Sequence, residues 1–348
     1  MTDEAKPLLQ VLSGRAVWPP PVWLMRQAGR YLPEYRAIRA RAGDFITLCT
    51  TPELATEVTL QPIRRYGFDA AILFSDILML PWALGQGLAF REGEGPVLPP
   101  LRSAADVAAL EPGRVSAAIA PILQTVRQVR AGLAREGFQG TTLIGFAGAP
   151  FTVACYMIEG GGSRDFAETR SLAYRDPTLF ASLIERLTEA TIDYLSAQIQ
   201  AGAETIMLFD TWAGILPPSQ FRSHVVRPTK AIVAALRRRH PDVPVIGFPR
   251  LAGMLLGEYA AQTGVQAVGM DTAMDPVQAR ALVPADIALQ GNLDPMAVIA
   301  GGPAMRAEAG AILQAMRGRP FVFNLGHGIT PQTPPEHVAE LVGFVRAG

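Results

Sequence analysis

The chain has 348 residues, of which 49% are hydrophobic and 18% are charged, so it can bury a large core and is not a disordered chain. Its 31 Lys and Arg residues balance its 31 Asp and Glu residues. This neutrality argues against a general binder of nucleic acid or of anionic membranes, because such proteins carry a broad basic excess.

Cysteine content and the hydropathy pattern indicate the compartment. Two cysteines, Cys49 and Cys155, are too few for a disulfide scaffold or a Cys-rich zinc site. The first ten residues lack the basic start and apolar core of a signal peptide. The longest uncharged run, 137–158, is interrupted by the turn-forming AGAP and is not typical of a membrane span. We therefore expect a soluble cytoplasmic protein without a membrane partner.

The first unusual segment is LMRQAGRYLPEYR, residues 24–36, which contains three arginines, no lysine and a single acid. Arginine without lysine favours a planar acceptor such as carboxylate or phosphate, although a solvated helix start would also accommodate it. The segment precedes the first predicted strand, so we place it in an N-terminal extension, residues 1–65, that can fold over a barrel mouth. The run TPELATEVTLQPIRRYG, residues 51–67, predicts one helix.

Short apolar runs followed by loop signals predict seven strands. They lie at 69–74, 142–147, 205–210, 243–248, 266–271, 287–292 and 321–326. Most gaps between them have helical spacing, and the clearest helix is predicted over 176–203, with Asp176-Pro177 as its start and Gly202 as its stop.

Apolar strands that alternate with amphipathic helices predict a parallel sheet covered on both faces. The gap between 74 and 142 can hold an eighth strand, for which GLAFRE, residues 87–92, is the best candidate. Eight βα units predict an α/β fold, a (β/α)8 TIM barrel with an N-terminal helical extension, as a single domain over 1–348. An open doubly wound sheet is the alternative, which the absence of G-x-G-x-x-G after the first strand disfavours.

Polar groups follow nearly every predicted strand, at the end where barrel enzymes carry their chemistry. They are Asp76, Tyr156, Asp210-Thr211, Arg250, Asp271, Asn292 and His327. Each has a structural alternative, because Asp and Thr cap helices and Tyr packs in cores. Together they form a site without a nucleophile–base pair, a phosphate loop or a metal cluster. Such a site suits a polyanionic substrate, with acid–base and electrostatic chemistry and no cofactor.

Several motifs resemble those of the uroporphyrinogen decarboxylase family, in the expected order from about residue 20 to 330. They are PVWLMRQAGRYLPEYR (21–36), FSDIL (74–78), GEGP (93–96), GFAGAPFTVACYMIEGG (145–161), LFDTWAG (208–214), GNLDP (291–295) and NLGHGI (324–329). The resemblance implies a homodimeric barrel enzyme of haem biosynthesis. Such an enzyme converts uroporphyrinogen III to coproporphyrinogen III and four CO2 without metal or cofactor.

The resemblance also implies the site residues. Substrate contacts are expected from Arg26, Gln27, Ala28, Gly29, Arg30, Phe45, Asp76, Tyr156, Thr211 and His327. Arg26, Arg30 and Asp76 are the expected catalytic residues. Asp76 would offset the positive charge on a protonated pyrrole ring, and the two arginines would orient substrate carboxylates. The role of Arg250, in the turn GFPRLAG at 247–253, is left open.

Two alternatives remain open. A zinc-dependent corrinoid methyltransferase of the same superfamily would need a zinc site of His and Cys, which the positions of Cys49 and Cys155 do not favour. A non-catalytic tetrapyrrole carrier would keep the arginines but would have no need of Asp76.

Overall fold

The seven predicted runs are the strands of one parallel sheet. The computed structural model describes residues 6–91 and 95–348. The strands are β1 (Ala70–Ile72), β2 (Ala89–Arg91), β3 (Gly95–Val97), β4 (Thr142–Gly148), β5 (Thr205–Asp210), β6 (Val245–Pro249), β7 (Ala267–Gly269), β8 (Ala288–Leu293) and β9 (Phe321–Leu325). The parallel sheet has the order β1-β4-β5-β6-β7-β8-β9. Each of its strands is largely buried, as a barrel with helices outside and packed side chains inside requires. The predicted α/β barrel class is confirmed.

The eighth position of the ring is occupied by the residues that lead into the arginine segment. Val22 forms a parallel bridge with Phe323 of β9. The Phe323 amide donates to the Pro21 oxygen at 2.9 Å, and the Trp23 amide donates to the Phe323 oxygen at 3.3 Å. On the other side, the Asp69 amide donates to the Val22 oxygen at 3.0 Å, and the Val22 amide donates to the Asp69 carboxylate at 2.8 Å. These residues, 21–23, are called the closing segment because they join β9 to β1.

The prediction that residues 87–92 form the eighth strand is wrong. Within that stretch, β2 pairs antiparallel with β3 in a separate two-stranded sheet. The physical reason is exposure, because both ends of β2 face solvent, whereas a strand of this barrel is covered on both faces. Residue 92 and the first two residues of the motif at 93–96 lie outside the described residues. The N-terminal region carries helices before β1, as predicted, and it also supplies the closing segment, from which the arginine segment continues directly.

Helices surround the sheet, and neighbours such as α4 with α8 and α11 with α13 pack together. In the described residues they are α1 (Pro7–Leu12), α2 (Pro33–Ala42), α3 (Phe45–Thr50), α4 (Pro52–Tyr66), α5 (Met79–Ala83), α6 (Ala104–Ala108), α7 (Val115–Ala118), α8 (Ala120–Arg135), α9 (Pro150–Glu159), α10 (Ala167–Arg175), α11 (Pro177–Ala201), α12 (Pro218–Phe221), α13 (Arg227–Arg239), α14 (Leu255–Thr263), α15 (Pro276–Leu282), α16 (Pro295–Ala300), α17 (Gly302–Met316) and α18 (Pro335–Ala347). Short 3-10 turns lie at Pro112–Arg114 and Ala213–Ile215, and a π turn lies at Arg222–Val226.

The helices predicted over 51–67 and 176–203 are confirmed as α4 and α11, and their ends have the expected capping residues. The Asp176 carboxylate caps α11 by accepting the Leu179 amide at 3.0 Å, and α11 ends at Gly202. Helix α4 ends at Gly67, whose φ of 64° is the left-handed conformation that glycine adopts at low cost.

At the amino end of the barrel, the Glu204 carboxylate is paired with two cations. The Lys6 ammonium donates to the Glu204 carboxylate and to the Thr141 oxygen, both at 2.7 Å. Arg130 also pairs with Glu204, which accepts the Leu143 amide at 2.9 Å as well. Burial opposes the ionisation of Glu204, but the bonds from Arg130 and Lys6 outweigh it and lower its pKa.

None of the helices within residues 6–91 and 95–348 is long and apolar enough to span a membrane.

Candidate active site at the barrel mouth

The strand topology brings several of the predicted site residues, together with the strand-end residue Arg250, to one end of the barrel. Each follows a strand, or the closing segment, at its carboxyl end. In ring order they are Arg26 after the closing segment, Asp76 after β1, Tyr156 in α9 after β4, Thr211 after β5, Arg250 after β6 and His327 after β9. The charge of Arg26 acts on the pKa of Asp76, of Tyr156 and of His327, so these groups share one site.

The backbone of Arg26 is held in a conformation that few non-glycine residues adopt. Its φ is 61°. The preceding amide, that of Met25, donates to the Asn324 side chain at 2.9 Å, and the Ile329 amide donates to the Met25 oxygen at 2.9 Å. A Cβ atom at Gly328 would lie 2.4 Å from the Cδ atom of Arg26. The loop after β9 therefore fixes where the Arg26 side chain lies, and glycine at 328 leaves room for it.

The rest of the RQAGR segment divides into buried and exposed members. The Gln27 side chain is 1% exposed, accepts the Leu24 amide at 3.2 Å and donates to the Ala70 oxygen at 2.9 Å. It therefore ties the segment to β1 and directs its hydrogen bonds into the protein. Ala28 and Gly29 are partly buried, whereas Arg30 is exposed.

Asp76 offers a carboxylate at the mouth. One oxygen, Oδ1, accepts the Leu78 amide at 2.8 Å, and no hydrogen bond to Oδ2 is found in the described part of the chain. Burial raises the pKa of Asp76, while the Leu78 amide and the charge of Arg26 oppose that rise. Helix α5 begins at Met79 with Leu78 as its N-cap residue, so Asp76 is not the helix cap that the alternative interpretation required.

Tyr156 and Thr211 lie on the next two ring positions. The Tyr156 ring packs near Phe166 and Trp212, with centroid distances of 6.1 and 6.2 Å. Burial raises the pKa of the Tyr156 phenol, which therefore keeps its proton and can donate it in a hydrogen bond. Thr211 is partly buried and lies between Asp210 and Trp212.

The buried Asp210 carboxylate supports the two elements that carry Tyr156 and Thr211. Its Oδ1 accepts the Thr152 hydroxyl at 2.6 Å, and the same hydroxyl accepts the Trp212 amide at 3.0 Å. Asp210 is 1% exposed, and its Oδ2 has no partner among the described residues. Burial raises the pKa of Asp210 to about 7, in spite of the bond from Thr152. Asp210 therefore joins α9, which carries Tyr156, to the loop that carries Thr211.

Two further polar side chains, those of Asp271 and Asn292, form hydrogen bonds that hold the loops at the mouth in place. The Asp271 carboxylate accepts the Leu251 amide at 2.7 Å and the Ala273 amide at 2.9 Å, so it links the loops after β6 and β7. The Asn292 side-chain amide donates to the backbone oxygen of Asp271 at 2.8 Å and to the backbone oxygen of Met274 at 2.6 Å. Both residues support loops, which explains their places at strand ends.

His327 is partly buried at the end of β9. Burial lowers its pKa, and the positive charges of Arg26 and Arg250 lower it further. The imidazole is therefore neutral near pH 7 and can donate one hydrogen bond and accept another. The other three histidines lie away from this group. His240 bonds Ser196, His337 bonds the Val298 oxygen, and His224 packs on Phe180.

An apolar wall lies beside Asp76. The Phe45 ring packs against Phe74, just before Asp76, with a centroid distance of 5.8 Å, and against Phe90 of β2 at 4.7 Å. Asp44 caps α3 by accepting the Thr47 amide at 2.9 Å, which fixes the helix that begins with Phe45.

In residues 6–91 and 95–348, no carboxylate oxygen of Asp or Glu lies within 4.0 Å of a guanidinium nitrogen of Arg26 or Arg250, the two arginines at the mouth, or of the exposed Arg30. The arrangement therefore presents cations, one anion and neutral hydrogen-bond donors toward the same space. It suits a ligand with several carboxylates, because guanidinium groups bind carboxylates bidentately.

Sequence reasoning missed three residues that hold this site, namely Thr152, Asn324 and Gly328. All three lie inside motifs that carry the family resemblance, but their spacing alone gives them no role. Asp210 was singled out as a strand-end carboxylate, but its bond to Thr152 was not foreseen. The two cysteines are buried, which raises the pKa of both thiols. In the described part of the chain, no three His, Cys, Asp or Glu side chains are grouped so that they could hold a metal ion.

Comparison with known proteins gives a consistent family. The family model described as "Uroporphyrinogen decarboxylase (URO-D)" matches residues 3–348. The uroporphyrinogen decarboxylase of Granulibacter bethesdensis is 65% identical, over 98% of this chain and 99% of that protein. The protein of the same name from Gluconacetobacter diazotrophicus is 60% identical, over 99% of each chain.

Solved structures share the fold at low identity. A methyltransferase from Methanosarcina mazei matches with a TM-score of 0.77 and 20% identity, over 99% of both chains. A B12-independent methionine synthase from a Shewanella species matches with a TM-score of 0.56 and 8% identity, over 85% of this chain and 86% of that one. These two likenesses bear on the fold alone.

Proposed function

Because this chain belongs to the uroporphyrinogen decarboxylase family, we propose that the ring of polar groups at its barrel mouth is where it decarboxylates uroporphyrinogen. The chain is a carboxy-lyase of tetrapyrrole biosynthesis. The single observation that supports the site is that Arg26, which lacks an acidic partner in the described residues, and Asp76 share one mouth. We propose that one barrel unit, residues 1–348, carries the whole site.

The reaction requires an electron sink. Each step breaks the bond between an acetate methylene carbon and its carboxyl carbon, releases CO2 and adds a proton to the methylene, which becomes a methyl group. Protonation of the pyrrole carbon beside the acetate makes the ring cationic, so that it can accept the electron pair. After the methylene has taken up its proton, the ring carbon loses the added proton, and each step consumes one proton in all. Four such steps convert uroporphyrinogen III to coproporphyrinogen III.

Asp76 is the group that offsets the cation. Its Oδ1 is held by the Leu78 amide, while Oδ2 has no hydrogen-bond partner in the described residues and can accept the pyrrole NH groups. A preorganised charge of this kind stabilises a charged transition state more than it stabilises the neutral substrate. Because burial raises the pKa of Asp76, the acid limb of the pH–rate profile should lie above the ordinary range for aspartate, about 3.9.

The remaining groups orient the substrate. Arg26 and Arg30 would bind substrate carboxylates, and Tyr156 and His327 would donate hydrogen bonds to others. Phe45, with its partners Phe74 and Phe90, would pack against the macrocycle. Gln27 would act indirectly, by fixing the RQAGR segment on β1. Thr211 would face the substrate from the loop after β5, which the bond between Thr152 and Asp210 holds in place.

The zinc-dependent methyltransferase alternative is not favoured. The curated relatives at 51–65% identity are named uroporphyrinogen decarboxylase, whereas the methyltransferase structure is only 20% identical. A tetrapyrrole carrier would bind the same ligand without releasing CO2, so an activity assay separates the two functions.

The test is anaerobic incubation of the purified protein with uroporphyrinogen III, without added cofactor and with a chelator. Oxidation and separation of the products by their number of carboxylates should give a ladder from eight to four. Unchanged substrate from a folded protein that binds it would indicate the carrier. Loss of activity only in the chelator would indicate a metal requirement.

We further propose a homodimer in the cytoplasm, as the family resemblance implies. Four large apolar side chains are exposed in the loops and first helical turns that follow β6, β7 and β8, three neighbouring strands: Leu251, Met254, Val277 and Met296. A second copy that covers this rim would remove apolar surface from water. Light scattering should give a mass near 75 kDa, about twice the 37.3 kDa chain, and Met254→Asp should lower it.

A further inference from the structure

Arg250 lies opposite Arg26 across the barrel mouth. The ring has eight positions, namely the closing segment and the seven strands of the parallel sheet. Arg26 follows the first position, and Arg250 follows β6 at the fifth. Four steps separate the two positions in either direction, so the two arginines belong to diametrically opposed edges.

The backbone at Arg250 is fixed by its neighbours on both sides. Its backbone amide donates to the backbone oxygen of Asp210 at 3.1 Å, and its backbone oxygen accepts the Gly214 amide at 3.0 Å. The next amide, that of Leu251, donates to the Asp271 carboxylate at 2.7 Å. A Cβ atom at Gly214 would lie 2.2 Å from the Leu251 oxygen, so only glycine permits this approach. The loop after β6 is therefore tied to the loops after β5 and β7.

The side chain of Arg250 is not used in these bonds. Arg250 is partly buried, and no carboxylate within residues 6–91 and 95–348 lies within ion-pair distance of it. By contrast, Arg64 on α4 pairs with both Glu57 and Glu136. The charges of Arg250 and Arg26 both lower the pKa of His327, so both guanidinium groups lie near that side chain. A fixed backbone with an uncompensated guanidinium group in this place is the arrangement that binds a carboxylate ligand.

We propose that Arg250 binds a carboxylate on the edge of the macrocycle opposite the edge held by Arg26. This inference rests on the proposed function, since it assigns the far side of the same substrate. The macrocycle carries carboxylates around its whole rim, so arginines on opposed edges would fix its position and its rotation. Arg250 acts here as a substrate-binding residue and does not take part in proton transfer.

The test compares Arg250→Met with Arg250→Lys, with steady-state kinetics on uroporphyrinogen III. Loss of one charge-assisted contact should raise KM by about 10- to 100-fold and change kcat by less than about threefold. The Lys variant keeps the positive charge and should recover most of the loss. Arg237→Met is the matched control, because Arg237 bonds a backbone oxygen, that of Gly264, and lies at the end of α13, outside the mouth. It should match the wild type.

A double variant separates the two edges. If Arg26 and Arg250 hold different carboxylates, the effects of Arg26→Met and Arg250→Met on kcat/KM should multiply. An Arg250→Met enzyme with a KM within twofold of the wild type would overturn the inference. So would a Lys variant as impaired as the Met variant, which would indicate a structural role. Activity of the wild type in the same assay tests the proposed function separately, so failure of one proposal is distinguishable from failure of the other.

Discussion

The two ends of this barrel treat charge in opposite ways. At the amino end, Glu204 is paired with Lys6 and Arg130, and its pKa is lowered. At the carboxyl end, Arg26 and Arg250 have no acidic partner in the described residues, and burial raises the pKa of Asp76. Both ends use the same residue types within one fold.

The difference shows what each end is for. A network of paired charges satisfies its own hydrogen bonds and stabilises the fold. A partly buried charge without a partner, such as that of Asp76 or Arg250, costs stability because its desolvation is not offset. Under the proposed function, the ligand brings the opposite charges, namely the carboxylates and the transient ring cation of the substrate.

The largest effect should come from Asp76→Asn. The change removes the carboxylate that we propose offsets the ring cation, so kcat should fall by about 100- to 1,000-fold while the folded protein still binds coproporphyrinogen III. Asp193→Asn is the control, because Asp193 pairs with Arg239 outside the mouth at 2.7 Å. Turnover of the Asp76→Asn protein near the wild-type rate would exclude the role.

A second large effect is expected from Gly328→Ala. The new methyl group would meet the Arg26 side chain, which must move, so kcat/KM should fall by about 10- to 100-fold. Because the Arg26 charge lowers the pKa of Asp76, the acid limb of the pH–rate profile should also shift to higher pH. A Cβ atom at Gly140 meets nothing, so Gly140→Ala is the control. An unshifted pH profile would argue against a displaced Arg26.

Glu204→Gln, at the amino end, should lower stability and leave catalysis unchanged. Lys6 and Arg130 would lose their common partner, so the free energy of unfolding should fall by about 2 kcal/mol, while kcat per folded molecule stays unchanged. Because the pKa of Glu204 is lowered by folding, this stabilisation is present above the unfolded pKa, about 4.3, and is lost as the pH falls through the folded value. Urea unfolding at several pH values measures both. A pH-independent difference from the wild type would contradict the ion-pair explanation.

His327→Asn should have the smallest effect. Asparagine keeps a donor and an acceptor, so we expect a several-fold change in KM or in the distribution of partly decarboxylated products, with CO2 release retained. Product analysis by number of carboxylates measures this directly. Complete inactivity of a folded His327→Asn protein would refute a purely binding role.

The sequence predicted the fold well where burial alone decides the structure. All seven runs that form barrel strands are mostly apolar and short, so their composition and length identify them. The closing segment escaped detection because Pro21, Val22 and Trp23 read as a Pro-rich loop. Its pairing depends on hydrogen bonds to Phe323 and Asp69, which are distant in the chain.

The site was predictable as a set of strand ends and much less so in its supports. A parallel barrel places every strand end at one mouth, so Asp76, Thr211 and His327 could be brought together from the sequence. The roles of Asn324 and Gly328 depend on tertiary contacts with Met25 and Arg26, which no local pattern encodes. Arg250 was left without a role, because its importance arises from its position opposite Arg26 in the ring.

The most direct test of the contrast between the two ends is the pKa of His327, measured by NMR of histidine-labelled protein with and without coproporphyrinogen III. Only four histidines are present, and His327→Asn assigns the signal. In the free protein, burial and the uncompensated charges of Arg26 and Arg250 should hold the pKa below the ordinary value of about 6.5. Bound carboxylates should neutralise those charges and raise it. A pKa at or above 6.5 in the free protein, or one that ligand binding leaves unchanged, would contradict the view that these charges await the substrate.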